Sequence, residues 1–320
     1  MNILKITVII TINFYYSYEI VMTQRFAMVF FISLILQLSA FNTKAYADVI
    51  EHDRGSLTLQ KVPSRIVVLA FSFADALAIA GVSPVGIADD GDINKLIAPI
   101  RERIKTWQSV GSRYQPSLEA IAALKPDLII ADSSRHQSIY NDLTHIAPTL
   151  MLKSQGVTYR ENLQSVLKIA KAVNKMEKVA LRLQQHQRLM EKLRKSFNSK
   201  ATFQFAVISE KGMWLHSPES YAGSVIAELG LKSPIKFTTN KAYIETGFEQ
   251  LLKINPDWLF VGKYTSRTIL DKWQKSPLWK MLTVSKPKRL ITVPVNTWSL
   301  ASGVLAAEQI ALALEKHIQP

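Results

Sequence analysis

The stretch SLEAIAALKPDLIIAD, residues 117–132, decides the fold, because GFEQLLKINPDWLFVG, residues 247–262, repeats it at a constant offset of 130. Leu118, Ile121 and Ala122 match Phe248, Leu251 and Leu252, the i, i+3, i+4 spacing of one apolar helix face. Pro126-Asp127 matches Pro256-Asp257, which ends each helix at the same point, since proline disfavours helix at the residue before it. A short apolar strand follows each proline. A weaker match pairs LAIAGVSPV (77–85) with IAELGLKSPI (226–235), aligned on Gly81 and Gly230. The chain therefore reads as two similar α/β halves in series.

Outward from the repeat, the pattern keeps alternating. A hairpin after Asp48 leads into a strand at 66–69, a helix at 72–80 and a strand at 85–88, one β-α-β unit of a parallel sheet. A helix at 139–146 and a strand at 149–152 follow the first copy. The second half repeats the alternation, with strands at 203–209, 258–262 and 290–293 and helices at 223–229, 248–254 and 300–317. Between the halves, residues 160–197 are helical in pattern, interrupted near Asn174 and Lys175. The second piece is long enough to bridge two lobes, and it equally suits a solvated surface helix. The expected fold is α/β: two Rossmann-like lobes joined by a long rigid helix, with a ligand cleft between them. The expected boundaries are a leader at 1–47, a first lobe at 48–157, linking helices at 158–197 and a second lobe at 198–320. Ligands of open α/β sheets sit outside the carboxyl ends of the strands, so facing lobes make a cleft.

The N-terminus reads as an export signal. Residues 27–38, AMVFFISLILQL, form an uncharged run too short to span a bilayer, which needs roughly 20 apolar residues. Arg25 precedes it and Ala45-Tyr46-Ala47 follows as a small-x-small cleavage site, placing the mature start at Asp48. The additional apolar run before Met22 suggests that translation begins at Met22; a long leader or an uncleaved anchor, which would make a membrane-tethered sensor, are the alternatives. The chain has no cysteine, so it has neither disulfides nor a lipid-bearing cysteine, and a free periplasmic protein fits. The formal charge is +14, and without residues 1–47 it is +12, from 36 basic and 24 acidic residues. An exported basic protein meets small anions or acidic protein surfaces rather than nucleic acid.

Enzyme signatures are missing. There is no GxGxxG, no GxxxxGK[ST], no HExxH and no GxSxG, and the histidines at 52, 136, 145, 186, 216 and 317 lack metal-ligand spacing. A metal-dependent enzyme on a two-lobed scaffold would need an acidic and histidine cluster in the cleft.

The segments RIVVLAFSFADALAIAGVSPVGIADD (65–90), WQSVGSRYQPSLEAIAALKPDLIIADSSRH (107–136), NLQSVLKIA (162–170) and SPLWKML (276–282) carry a family resemblance from about Asp48 to the C-terminus. They resemble the iron-siderophore and cobalamin group of ABC-importer substrate-binding proteins, and within it the ferric-citrate branch. The resemblance implies a periplasmic, non-enzymatic, monomeric receptor without a cofactor. It would deliver ferric citrate to an inner-membrane permease, with citrate rather than protein holding the iron. Another siderophore, haem or cobalamin is the alternative cargo, and would want a more aromatic cleft with fewer cations.

Glu119 and Glu249 sit in equivalent first helical turns. A carboxylate there complements the helix dipole, and the resemblance implies a second role, pairing with arginines of the permease. Arg113 follows Val110-Gly111-Ser112; the resemblance places it on the ligand, and guanidinium pairs bidentately with carboxylates. Ser133, Ser134 and Arg135 follow a strand end, where they could bind ligand oxygens or cap the next helix. By the repeat, Lys263, Tyr264 and Arg267 take the matching place in the second lobe. Trp298 is either a cleft aromatic or a core residue, and Trp107, Tyr221 and Tyr243 are further ligand-binding candidates. Trp258, Trp273 and Trp279 read as structural.

Overall fold

The computed structural model describes residues 48–235 and 240–318. The leader, its cleavage site and the Met22 start lie outside the described residues. In chain order the strands are β1 (Asp48–His52), β2 (Gly55–Leu59), β3 (Ile66–Val68), β4 (Gly86–Ile87), β5 (Gln108–Ser109), β6 (Leu128–Asp132), β7 (Thr149–Leu152), β8 (Phe203–Ile208), β9 (Met213–His216), β10 (Tyr243–Thr246), β11 (Trp258–Lys263) and β12 (Leu290–Val293). The α-helices are α1 (Phe71–Ala80), α2 (Ala98–Arg101), α3 (Leu118–Ala123), α4 (Tyr140–Ile146), α5 (Tyr159–Ala172), α6 (Met176–Ser196), α7 (Tyr221–Glu228), α8 (Phe248–Ile254), α9 (Ile269–Trp273) and α10 (Val304–Ile318).

The first lobe is built on the sheet β5-β4-β3-β6-β7, parallel throughout. The second is built on β10-β9-β8-β11-β12. Here β8, β11 and β12 run parallel, but β9 and β10 are antiparallel additions at one edge. The second half is therefore not a strict copy of the first. A hairpin from Phe203 to His216 replaces a crossover, and the sequence reading did not resolve it.

The repeat survives at the level of single bonds. Asp127 accepts hydrogen bonds from the Ser64 and Arg65 amides (2.9 and 2.7 Å), pinning the entry to β3. Asp257 accepts from the amide and hydroxyl of Thr202 (2.8 and 2.9 Å), pinning the entry to β8. Before each proline the chain turns left-handed, at Lys125 (φ 45°) and Asn255 (φ 40°). Gly81 (φ 71°) and Gly230 (φ 77°) end α1 and α7 in the left-handed conformation that glycine adopts without a Cβ penalty.

Each lobe has its own core. Val67, Leu69, Ile121 and Ile129 are fully buried in the first, and Ile208, Leu215, Leu251 and Leu259 in the second. Each such side chain contributes about 1.5–3 kcal/mol relative to exposure. A helical layer joins the lobes. The capping box of Thr158 and Glu161 starts α5, the chain breaks at Asn174 (φ 52°), and the 21-residue α6 follows. α5 packs on α1, α6 packs on α10, and α10 also packs on α1 and α7. The closing helix starts at Val304, later than the expected Leu300, because residues 296–300 form one wide helical turn and 301–303 are non-helical.

Candidate functional site

Both lobes line one cavity of about 270 Å³ at the carboxyl ends of their strands, and no acidic side chain is among its lining residues. The first lobe supplies its cations. Arg113 lies in the loop after β5 and is almost buried, with its guanidinium carbon 4.0 Å from the centroid of Phe71. Asp90 holds it from behind: its carboxylate accepts from the Arg113 amide (2.8 Å), Nε (3.1 Å) and Nη2 (2.8 Å). Burial raises the Asp90 pKa, but the Arg113 bonds and charge outweigh it and hold the carboxyl below its usual range. Arg135, just past β6, repeats the design. Its Nη1 donates to the buried Asp132 (2.8 Å), and its guanidinium lies 4.8 Å from the Tyr114 ring centroid. Its Nε is buried without a hydrogen-bond partner, a donor left to be satisfied inside the cavity wall.

His136 ties the two arginine segments together. Its Nδ1 accepts the Asp132 amide (3.0 Å), which leaves Nε2–H to donate to the Arg113 carbonyl (2.8 Å). The ring is fully buried, and burial holds its pKa below the usual histidine value despite the Arg113 carbonyl and the Asp132 charge. It is a neutral strut.

The second lobe supplies an aromatic wall: Trp214 and His216 from β9, Tyr243 from β10, and Tyr264 just after β11. Burial drives His216 down to about 3, so it is uncharged at neutral pH, and its Nδ1 has no partner. Burial pushes both phenols up, so Tyr243 and Tyr264 remain neutral hydrogen-bonding groups. The Tyr264 hydroxyl lies 2.8 Å from that of Ser299, which lines the cavity together with Leu300 and Ser302, and Ser154, Gln155 and Val207 complete the lining.

Of the residues singled out in the sequence, Arg113, Arg135, Tyr243 and Tyr264 meet in this cavity, and the others do not. Lys263 and Arg267 are exposed outside the lining, so the expectation of cations from both lobes is corrected. Neighbouring residues of an extended chain point opposite ways, and Tyr264 takes the inward direction. Trp298 is a core residue, 1% exposed and stacked on Phe260 at 5.2 Å. Tyr221 is buried and donates its hydroxyl proton to the Gly303 carbonyl. Trp107 donates to Asp89 (3.0 Å). Ser133 donates to Asp53, and the Ser134 amide donates to Asp132, so these serve the loop rather than the cavity. Sequence reasoning missed Phe71, Tyr114, Trp214 and His216. Tyr114 stood beside Arg113, whereas β9 carried no signal of its own.

Glu119 and Glu249 are both exposed, each in the first turn of its helix. Ser117 caps α3 and donates its hydroxyl proton to Glu119 (3.0 Å). The Glu119 backbone amide and this hydroxyl hold its pKa below the usual range. Among the described residues no group of three or more His, Asp or Glu side chains could hold a metal ion, and no helix is long and apolar enough to cross a membrane.

Comparison with known proteins places the chain. The family described as periplasmic binding protein matches residues 66–297. The Fe(3+) dicitrate-binding periplasmic protein FecB of Escherichia coli is 45% identical over 292 residues, 91% of this chain and 96% of that one. The Fe(3+)-citrate-binding protein YfmC of Bacillus subtilis is 37% identical over 272 residues, 84% of this chain and 85% of that one. Among solved structures, Staphylococcus aureus SirA complexed with staphyloferrin B has the same fold, with a TM-score of 0.73 at 23% identity, covering 85% of this chain and 98% of that one. On the family match and these two relatives, the chain belongs to the periplasmic binding protein family.

Proposed function

We propose that this chain is an exported, monomeric receptor that captures ferric citrate in the periplasm and delivers it to an ABC importer, without catalysing a reaction. One observation carries the cargo: two arginines, each braced by a carboxylate and laid over an aromatic ring, line a cavity that no acidic side chain enters. Arginines fixed this way present hydrogen-bonding edges to carboxylate oxygens without first losing side-chain freedom. Citrate would hold the iron and expose its remaining carboxylates to Arg113, Arg135 and the tyrosines. The 45% identity to a ferric-dicitrate-binding protein supports the same cargo. Glu119 and Glu249 are the proposed contacts with the permease, one on each lobe. The apolar run and small-x-small site before Asp48 support export through a cleaved signal.

The aromatic wall of the second lobe favours a second reading, in which the cavity takes another siderophore with a larger apolar surface. Titrating the purified protein with ferric citrate, iron-free citrate and a ferric hydroxamate, followed by tryptophan fluorescence, separates the two. Tight binding of ferric citrate supports the first reading. A response to the hydroxamate alone overturns it.

A further inference from the structure

Helix α10 begins without a cap of its own. Its N-cap residue is Gly303, whose carbonyl accepts the first intrahelical bond from Ala307 (2.9 Å). Glycine has no side chain to receive the amides of the second and third helical residues. The acceptor comes instead from α1, in the other lobe. The Asp75 carboxylate lies 3.1 Å from the Leu305 amide and 3.4 Å from the Ala306 amide. Asp75 is completely buried, and a Cβ on Gly303 would collide with its carboxyl. Asp75 and Gly303 are a fitted pair.

This pair sits one step behind the cleft on both sides. Phe71, one turn before Asp75 on α1, is the ring beneath Arg113. Ser302, immediately before Gly303, ends the cavity-lining segment that begins at Ser299. The Asn162 side chain holds the Ser302 carbonyl (3.1 Å), and the Tyr221 hydroxyl holds that of Gly303. Asp75 supplies the negative charge in this set, facing the positive end of a 15-residue helix.

We propose that Asp75 is a positioning residue for ligand capture: its carboxylate caps α10 across the lobe boundary and so sets the 299–302 segment against the arginine wall. The inference rests on the cleft being the ferric-citrate site.

Holding a charge there works against the fold. Burial pushes Asp75 up to about 7, opposed by the Leu305 and Ala306 amides; Glu308 adds to the rise and Arg182 opposes it. The groups around it are accounted for. Glu308 of α10 is bonded to Arg182 (2.7 Å) and His186 (2.8 Å) of α6, Tyr159 of α5 is bonded to His186, and Tyr221 belongs to α7. A carboxyl whose folded pKa is raised adds stability below its unfolded value near 4, and that stability is lost as pH rises through about 7. Asparagine has the same shape, one acceptor oxygen and no charge, so it removes the burial cost while weakening the cap. Protonated Asp75 resembles it.

Ferric citrate is titrated into the wild-type protein and Asp75→Asn between about pH 5.5 and about pH 8.5, with thermal unfolding measured alongside. Iron–citrate speciation changes equally for both proteins, so the ratio of affinities is the readout. At about pH 8 the variant is expected to bind about tenfold more weakly, with an unfolding temperature equal or higher. The gap should close below about pH 6, where wild-type Asp75 is protonated. Gly303→Ala, which displaces the carboxyl without removing it, should weaken binding at every pH, and it carries the test if Asp75→Asn does not fold. Equal affinities at about pH 8, a loss that follows a lowered unfolding temperature, or an unaffected Gly303→Ala protein overturns the inference. A wild-type protein that binds no ferric citrate overturns the cargo reading, and this inference with it. Wild-type binding beside indifferent variants overturns this inference alone.

Discussion

Asp90 grips Arg113 at three points, through its backbone amide, Nε and Nη2, and so fixes which edge of the guanidinium is turned toward the cavity. Orientation as well as charge is at stake. Arg113→Lys keeps the charge but loses the planar fork and the stacking on Phe71. Hydrogen bonds to charged groups contribute about 1.5–3 kcal/mol, so Arg113→Lys should bind ferric citrate roughly tenfold to a hundredfold more weakly. Asp90→Asn should lose part of that, because the arginine keeps its charge and loses its brace. Fluorescence titration checks both, and affinities within twofold of wild type would place Arg113 outside the ligand contacts.

His136 makes a second, independent prediction. It joins the Asp132 amide to the Arg113 carbonyl and is not itself a lining residue, acting on the cavity only through the arginine segments. Leucine fills similar space and offers neither donor nor acceptor, leaving two buried backbone groups unsatisfied. At about 1–3 kcal/mol for each such group, His136→Leu should lower both stability and ligand affinity, whereas His136→Gln, which can donate and accept, should recover part of each. Chemical denaturation and titration of both variants measure this. Full activity in the leucine variant would show that the two arginine segments hold their places unaided.

The fold was legible where the sequence encodes local geometry twice. The i, i+3, i+4 apolar face, the proline stop and the following aspartate recur at an offset of 130 because each does the same job in each lobe, down to the bonds of Asp127 and Asp257. The aromatic wall was not legible. β9 spans only four residues, and the alternation that turns Trp214 and His216 toward the cavity exists only once β9 pairs with β8 and β10. Trp298 shows the converse. A tryptophan after a strand end suits a cleft as well as a core, and the stacking on Phe260 that decides the matter involves a residue 38 positions away. Asp90 and Asp132 were likewise invisible as braces, since their partners are set by the tertiary path of the chain.

Glu119 and Glu249 are exposed and neither is among the lining residues, so reversing them should separate delivery from capture. The double variant Glu119→Lys, Glu249→Lys should bind ferric citrate within about twofold of wild type, since neither residue lines the cavity and the charges of exposed side chains are weakened by solvent and salt. Ferric-citrate uptake into cells or vesicles carrying the importer should fall to background. Each single variant should fall between if, as proposed, each glutamate makes its own contact with the permease. Unimpaired uptake by the double variant would exclude these residues as the permease contacts.

His216 gives a prediction in pH. Burial holds its folded pKa at about 3, against an ordinary value of 6.5 in the unfolded chain. The unfolded state therefore takes up a proton first as pH falls, and the stability contributed by the neutral ring is complete above about 6.5 and is lost progressively toward 3. Asp75 acts in the opposite sense between about 4 and 7, so the net slope of the wild-type protein is shallower than either group alone would give. Replacing the histidine isolates its share. His216→Phe keeps a ring against Phe205 and Tyr243 and cannot be protonated. Its unfolding temperature should decline less than that of wild type between pH 7 and about pH 4.5, with the two curves running parallel only above pH 7. Parallel curves across the range would mean that the His216 ring reaches solvent and protonates without disturbing the wall it stands in.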